Sequence, residues 1–114
     1  MQGGIEWLVD AHGCIPGKLR DRGAVIALLD RIVAAMDLHV VSTAVHVFPG
    51  AGGVTALYLL AESHLAIHTF PETASATLNA YCCRPRTAAP WQALLGELLG
   101  ASQVVATEHA RGGA

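Results

Sequence analysis

Residues 59–72 read LLAESHLAIHTFPE, and within them Ser63 stands between an acid, Glu62, and an imidazole, His64, at a break between two apolar segments. A second imidazole, His68, follows five residues after the serine, and two adjacent thiols, Cys82 and Cys83, lie further on. Hydroxyl, imidazole and thiol are the side chains that attack carbonyls or carry protons near neutral pH. They are costly to bury unless paired. A plainer reading of each residue stands beside the chemical one. Ser63 can be a strand-break serine bonded to nearby backbone, His68 a satisfied strand histidine, and Cys83 a small buried hydrophobe.

The elements that must position these groups follow from periodicity. Ile5 to His12 reads as a first strand closed by Gly13. Asp21 can cap a helix from Arg22 to Leu38, in which Val25, Leu28, Leu29, Ile32, Val33 and Met36 fall on one helical stripe. His39 to Phe48 is rich in β-branched residues and reads as a strand. The Gly-rich turn from Pro49 to Gly53 joins it to a third strand, Val54 to Ala61. His64 to Phe70 and Ala74 to Cys83 read as the fourth and fifth. Pro90 opens a helix bearing Trp91, Leu94, Leu95, Leu98 and Leu99, ended by Gly100. Val104 to Glu108 is a short last strand, and the tail from Ala110, with Gly112 and Gly113, is expected to be loose. The order β-α-β-β-β-β-α-β predicts an α/β two-layer sandwich, a mainly antiparallel sheet with two helices on one face.

Side chains alternate along a strand. Leu65 and Ile67 therefore share one face of the fourth strand, and Leu78, Ala80 and Cys82 one face of the fifth. These apolar sets belong under the helices. The other face then displays His68, Phe70, Asn79, Tyr81 and Cys83 together. By the same alternation Ser63 points the wrong way, so the backbone must turn or bulge at Glu62-Ser63 for Ser63 to meet His68. Local distortion of that kind suits a bond that is to be broken.

Composition narrows the classes. A chain of 114 residues is enough for one domain, 1–114, with one core. It is 53% hydrophobic and 14% charged, which favours a buried core plus an apolar subunit interface. The net charge of -2 and the lack of a basic block give no support to nucleic acid or anionic membranes as partners. Charged residues interrupt every apolar run before it reaches the length of a membrane span. Met1-Gln2-Gly3-Gly4 lacks the plan of a signal peptide. Three cysteines are an odd number and suit reduced thiols in a cytoplasmic protein.

Glu62-Ser63-His64 followed by His68-Thr69-Phe70-Pro71-Glu72 closely resembles the self-cleavage site of the small bacterial and archaeal S-adenosylmethionine decarboxylases. The resemblance covers nearly the whole chain. It takes in Leu8-Val9-Asp10 with Gly13-Cys14, then His46-Val47-Phe48 with Gly53-Val54-Thr55. Tyr81-Cys82-Cys83 and Pro90-Trp91 complete it.

The resemblance implies cleavage between Glu62 and Ser63, giving a β chain 1–62 and an α chain 63–114. Ser63 attacks the Glu62 carbonyl, and elimination followed by hydrolysis leaves a pyruvoyl group derived from Ser63, with no metal needed. It assigns His68 as the processing base and Thr55, where the family has serine, as support for processing. The pyruvoyl carbonyl then forms a Schiff base with the amine of S-adenosylmethionine and acts as an electron sink for loss of CO2. Cys83 is the implied proton donor. The product serves spermidine synthesis, and the implied assembly is a homodimer of processed protomers with sites at or near the interface.

For substrate binding, aromatic faces suit a sulfonium cation and an adenine ring. Phe70 is the candidate, with Phe48 and Trp7 behind it, and Glu72 matches the residue that would receive ribose hydroxyls. The chain departs from the family's pattern at Phe70, where tryptophan is common, at Asn79, where aspartate is common, and at Arg84, where glycine is usual. These departures bear on substrate choice. Ornithine or arginine decarboxylation by the same pyruvoyl chemistry is therefore a rival reading. A His/Cys metal-binding module is another, since His64 and His68 are four apart and would chelate zinc on a helix. On a strand they stand roughly 13 Å apart. A non-catalytic partner subunit that never cleaves is the third rival.

Overall fold

A computed structural model describes residues 3–112. Met1, Gln2, Gly113 and Ala114 lie outside the described residues, and with them part of Met1-Gln2-Gly3-Gly4, read as lacking a signal-peptide plan, and part of the expected loose tail. Six strands are present: β1 (Gly4–His12), β2 (Val40–Val47), β3 (Val54–Leu60), β4 (Ser63–Phe70), β5 (Ser75–Cys82) and β6 (Gln103–Arg111). Among the described residues three α-helices accompany them, α1 (Pro16–Leu19), α2 (Arg22–Ala35) and α3 (Trp91–Leu99), with a 3-10 turn at Pro71–Thr73. The sheet order is β2-β3-β4-β5-β1-β6, with every neighbouring pair antiparallel. The two-layer sandwich read from the sequence is the architecture found.

The helix layer forms where the apolar stripes require it. Asp21 caps α2 by accepting the Ala24 N–H at 3.2 Å, and Val25, Leu28, Leu29 and Ile32 are wholly buried along its inner stripe. The helix stops at Ala35, before the expected Leu38. Asp37 adopts a left-handed φ of 54°, which a short polar side chain tolerates and a continuing helix does not. α1 is an unforeseen single turn that opens on Pro16 and buries Leu19. Facing the helices, Val54, Ala56, Leu65, Ile67, Leu78, Ala80 and Cys82 are all buried on the sheet. Each large aliphatic side chain so placed contributes about 1.5–3 kcal/mol.

Most polar groups inside this layer are paired, while the Trp91 indole N–H is buried with no partner among the described residues. Thr69 accepts the Val54 N–H at 2.8 Å and donates to the Leu19 carbonyl at 2.6 Å. Tyr58 donates to Asp30 at 2.7 Å. Desolvation, with the hydrogen bond and the negative charge at Asp30, pushes the Tyr58 phenol well above its ordinary range. Gly53 lies where the β2–β3 turn passes β4. A Cβ there would come within 2.5 Å of the Thr69 carbonyl, so the approach requires glycine.

Two boundaries correct the sequence reading. β6 runs from Gln103 to Arg111, not from Val104 to Glu108, so Ala110 and Arg111 are paired strand residues opposite Ile5 and Gly4. Its side chains are mostly exposed, which hides an edge strand from any burial pattern. β3 and β4 are joined by two residues only, Ala61 and Glu62, because Leu60 pairs with Ser63. Among the described residues no helix covers the second face of the sheet. Leu57, Leu59, Leu8, Val105, Phe48 and Phe70 are all exposed large apolar side chains.

Candidate active site

Ser63 is the first residue of β4, between Leu60 of β3 and Cys82 of β5. Its φ is 141°, a region that side-chain-bearing residues rarely occupy and that costs of order 1–3 kcal/mol. The distortion is in the backbone angle alone, because the ladder register runs unbroken through Ser63 and the expected departure from alternation is not found. On the N-terminal side of the strained residue, the Glu62 carbonyl accepts the backbone N–H of Cys83 at 2.8 Å. The bond between Glu62 and Ser63 thus has its carbonyl oxygen already on a donor. Cys83 lies one residue past the end of β5 and is half-buried, while Cys82 beside it is wholly buried among the helices. Burial pushes the Cys82 thiol up to about 11, so it is a packing group.

A second cluster lies further along β4. His68 Nδ1 and Thr55 Oγ1 are hydrogen-bonded at 2.9 Å, one above the other across the β3–β4 ladder. Together with Phe48, Phe70, Glu72 and the Gly-rich turn they line a cleft of about 370 Å³. His68 also borders a smaller hollow of about 260 Å³, shared with Leu8, Asp10, Ala66, Thr77 and Asn79. The imidazole therefore stands where the two depressions of the open face meet.

The expected residues fall into these two groups. Glu62, Ser63 and Cys83 come together at the start of β4, and Thr55, His68, Phe48, Phe70 and Glu72 come together near its end. Within one chain the groups are separate, because five residues of strand span roughly 16 Å. Ser63 does not turn to meet His68 of its own chain. Trp7 joins neither group. It sits on the helix face, 2% exposed, with its ring centroid 6.3 Å from that of Trp91 and its Nε1–H donated to Glu108 at 2.8 Å. The expectation that Trp7 backs Phe70 is corrected: strand parity puts it with Val9 and Ala11 in the core.

Several contributing residues escaped the sequence reading. The Glu62 carboxylate is 3% exposed. It accepts the His39 backbone N–H at 2.9 Å, and it lies 2.6 Å from His39 Nδ1 and 3.2 Å from Arg86 Nη2. Burial pushes the Glu62 carboxyl up, but the His39 hydrogen bonds and charge outweigh it and hold the group below the ordinary carboxylate range. On the open face, Asn79 takes a hydrogen bond from His64 and donates one to Glu6, which also holds Arg111. An aspartate at position 79 would face Glu6 with a like charge, so the amide fits this neighbour. The one available signal for the Glu62 partners is general: a carboxylate in a tight turn of an apolar sheet needs cations from elsewhere in the chain.

A crystal structure of the adenosylmethionine decarboxylase from Aquifex aeolicus matches this fold with a TM-score of 0.83 at 27% identity, covering 99% of this chain and 93% of that one. The S-adenosylmethionine decarboxylase proenzyme of Clostridium tetani is 33% identical over 111 residues, 96% of this chain and 86% of the relative. That of Pyrobaculum islandicum is 36% identical over 76 residues, 67% of this chain, and the chain spans 61% of that relative's length. A family model described as S-adenosylmethionine decarboxylase matches residues 5–112. Fold and relatives together define the α/β two-layer architecture of the matched adenosylmethionine decarboxylase structure. The chain belongs to the S-adenosylmethionine decarboxylase family.

Proposed function

We propose that this chain is a self-processing, pyruvoyl-dependent decarboxylase of S-adenosylmethionine, cut between Glu62 and Ser63. The observation that carries the reading is the backbone at the cut: a strained Ser63 preceded by a carbonyl that already accepts the Cys83 N–H. Ser63 Oγ adds to the Glu62 carbonyl carbon and gives up its proton, and the Cys83 N–H stabilises the oxyanion. The C–N bond then breaks, leaving an ester and a free serine amine. Removal of the Ser63 α-proton expels the Glu62 carboxylate and leaves dehydroalanine. Water enters, ammonia leaves, and the chain 63–114 begins with a pyruvoyl group. That group supplies a carbonyl that condenses with the substrate amine and accepts the electron pair freed as CO2 departs.

The residues at the start of β4 fit such a group. Cys83 is half-buried beside it and carries a proton for the substrate's α-carbon. His68, with Nδ1 on the Thr55 hydroxyl, is the base for the elimination, and Thr55 orients it. Since His68 lies far along β4 from Ser63, the base acts on Ser63 of the partner subunit. A two-fold axis crossing β4 between two open sheet faces exchanges the strand's ends and brings the two clusters together. The exposed Leu57, Leu59, Leu8 and Val105 support that face as the dimer interface. Phe48 and Phe70 offer ring faces to a sulfonium or adenine, and Glu72 offers acceptors to ribose hydroxyls. The free thiols support a cytoplasmic enzyme, with its product directed to spermidine synthesis.

Intact mass under denaturing conditions tests the reading. The expected result is two fragments, 1–62 and a pyruvoyl-capped 63–114, and a single uncut chain from Ser63→Ala. A wild-type chain that stays whole would defeat it.

A further inference from the structure

Two segments distant in sequence close on the Ala61-Glu62 turn. From directly before β2, the His39 carbonyl accepts the Ala61 N–H at 2.8 Å, and the His39 N–H returns to the Glu62 carboxylate at 2.9 Å. From beyond β5, Cys83 N–H holds the Glu62 carbonyl, and Arg86 reaches the same residue's carboxylate. Arg86 is itself fixed: its Nε donates to the Asp37 carbonyl at 3.2 Å and its Nη1 to the Pro85 carbonyl at 2.9 Å. One side chain in a two-residue turn thus has three donors, two of them from side chains that can be cationic.

A buried carboxylate is a weak means of adding stability, because its desolvation offsets most of the attraction. What such an arrangement does well is hold one geometry. The carboxylate of Glu62 is held by His39 and Arg86 and its carbonyl by Cys83, which restrains rotation of the residue about its backbone. We propose that His39 and Arg86 are positioning residues for self-cleavage: through the Glu62 side chain they hold the Glu62 carbonyl on the Cys83 N–H, in line for Ser63. This rests on the reading of Ser63 as the cleavage residue. Neither group touches the reacting atoms. Their effect is orientation, where a misplacement of about 1 Å can lower a rate about a hundredfold.

Fragment formation is followed by mass spectrometry after cell-free synthesis, alongside thermal melting of each variant carried on a Ser63→Ala background so that all are uncut. Arg86→Ala and Glu62→Gln are each expected to slow cleavage about tenfold or more. The double variant is expected to be no slower than the slower single one, because the two act as a unit. Arg86→Lys and His39→Asn, which keep a donor near the carboxylate, are expected to recover most of the rate. Cleavage of Arg86→Ala and Glu62→Gln at the wild-type rate would overturn the proposal and leave Ser63 as the cleavage residue. So would additive slowing that follows the loss of melting temperature with no rescue by the conservative variants. A wild-type chain that is never cut would instead remove the reading on which the clamp rests.

Discussion

Cys83 meets Glu62 through its backbone and not its thiol: the Cys83 N–H lies 2.8 Å from the Glu62 carbonyl oxygen, directly beside the strained Ser63. In the proposed chemistry one residue thereby has two separable duties, its amide in the cutting of the chain and its side chain in the reaction that follows.

Cys83→Ala separates them. The variant is expected to form both fragments at close to the wild-type rate, since alanine keeps the N–H. Its decarboxylation rate is expected to fall about 10²- to 10⁴-fold, the usual contribution of a positioned acid. Fragment analysis and CO2 release from the same preparation check this. Failure of Cys83→Ala to be cut would mean that the thiol acts earlier than argued.

Ser63→Ala and His68→Ala should each remain whole when expressed alone. Co-expressed, they are expected to complement. In the mixed dimer the chain carrying His68→Ala is cut, because its intact Ser63 faces the intact His68 of the partner subunit. Mass tags distinguish the two chains. No cleavage in the mixed dimer, with wild type cleaving normally, would return Ser63 and His68 to one protomer.

Glu62 carries a pH signature. Its carboxyl is held below the ordinary range in the folded protein, so its ion pair stabilises the fold above the unfolded carboxylate's pKa. That contribution is lost as pH falls through the lowered folded value. On an uncut Ser63→Ala background, Glu62→Gln is expected to lower stability by about 2 kcal/mol near neutral pH. The gap from the parent should close in acid. Urea unfolding across pH measures it, and a gap independent of pH would contradict the pairing.

Phe70→Leu is expected to raise KM for S-adenosylmethionine about 2- to 30-fold, the range of one cation–π contact, with little change in kcat. The same assay with ornithine and arginine is expected to show no comparable turnover. Preference for either basic amino acid would move the chain's substrate while leaving its pyruvoyl chemistry in place.

Much of this was legible in residue order. Leu65 and Ile67 against His64 and His68 gave the two faces of β4 correctly, and Asp21 marked the start of α2. Alternation reports a face, however, and not a distance along it. That is why Ser63 and His68 were expected to meet within one chain. Trp7 was misplaced by weighing its ring above its strand parity. Four residues at Pro16–Leu19 are too few to show a helical period. Exposed Glu108, His109 and Arg111 gave no apolar signal for the second half of β6. His39 and Arg86 lie 23 and 24 residues from Glu62 in the chain, and only folding brings them to it.

The strand order has a consequence for the proposed cut. β1 belongs to residues 1–62, yet it is paired on one side with β5 and on the other with β6, both from residues 63–114. Across the cut itself β3 remains laddered to β4. The two products are therefore woven through one another and stay joined with no covalent link. The weave also sets an order of events, since β1 can be enclosed only after the C-terminal half has folded around it. The uncut chain is then the folding unit. Once severed and unfolded, the two proposed pieces would have to find each other in solution, so the cut product would owe its persistence to a path travelled only once.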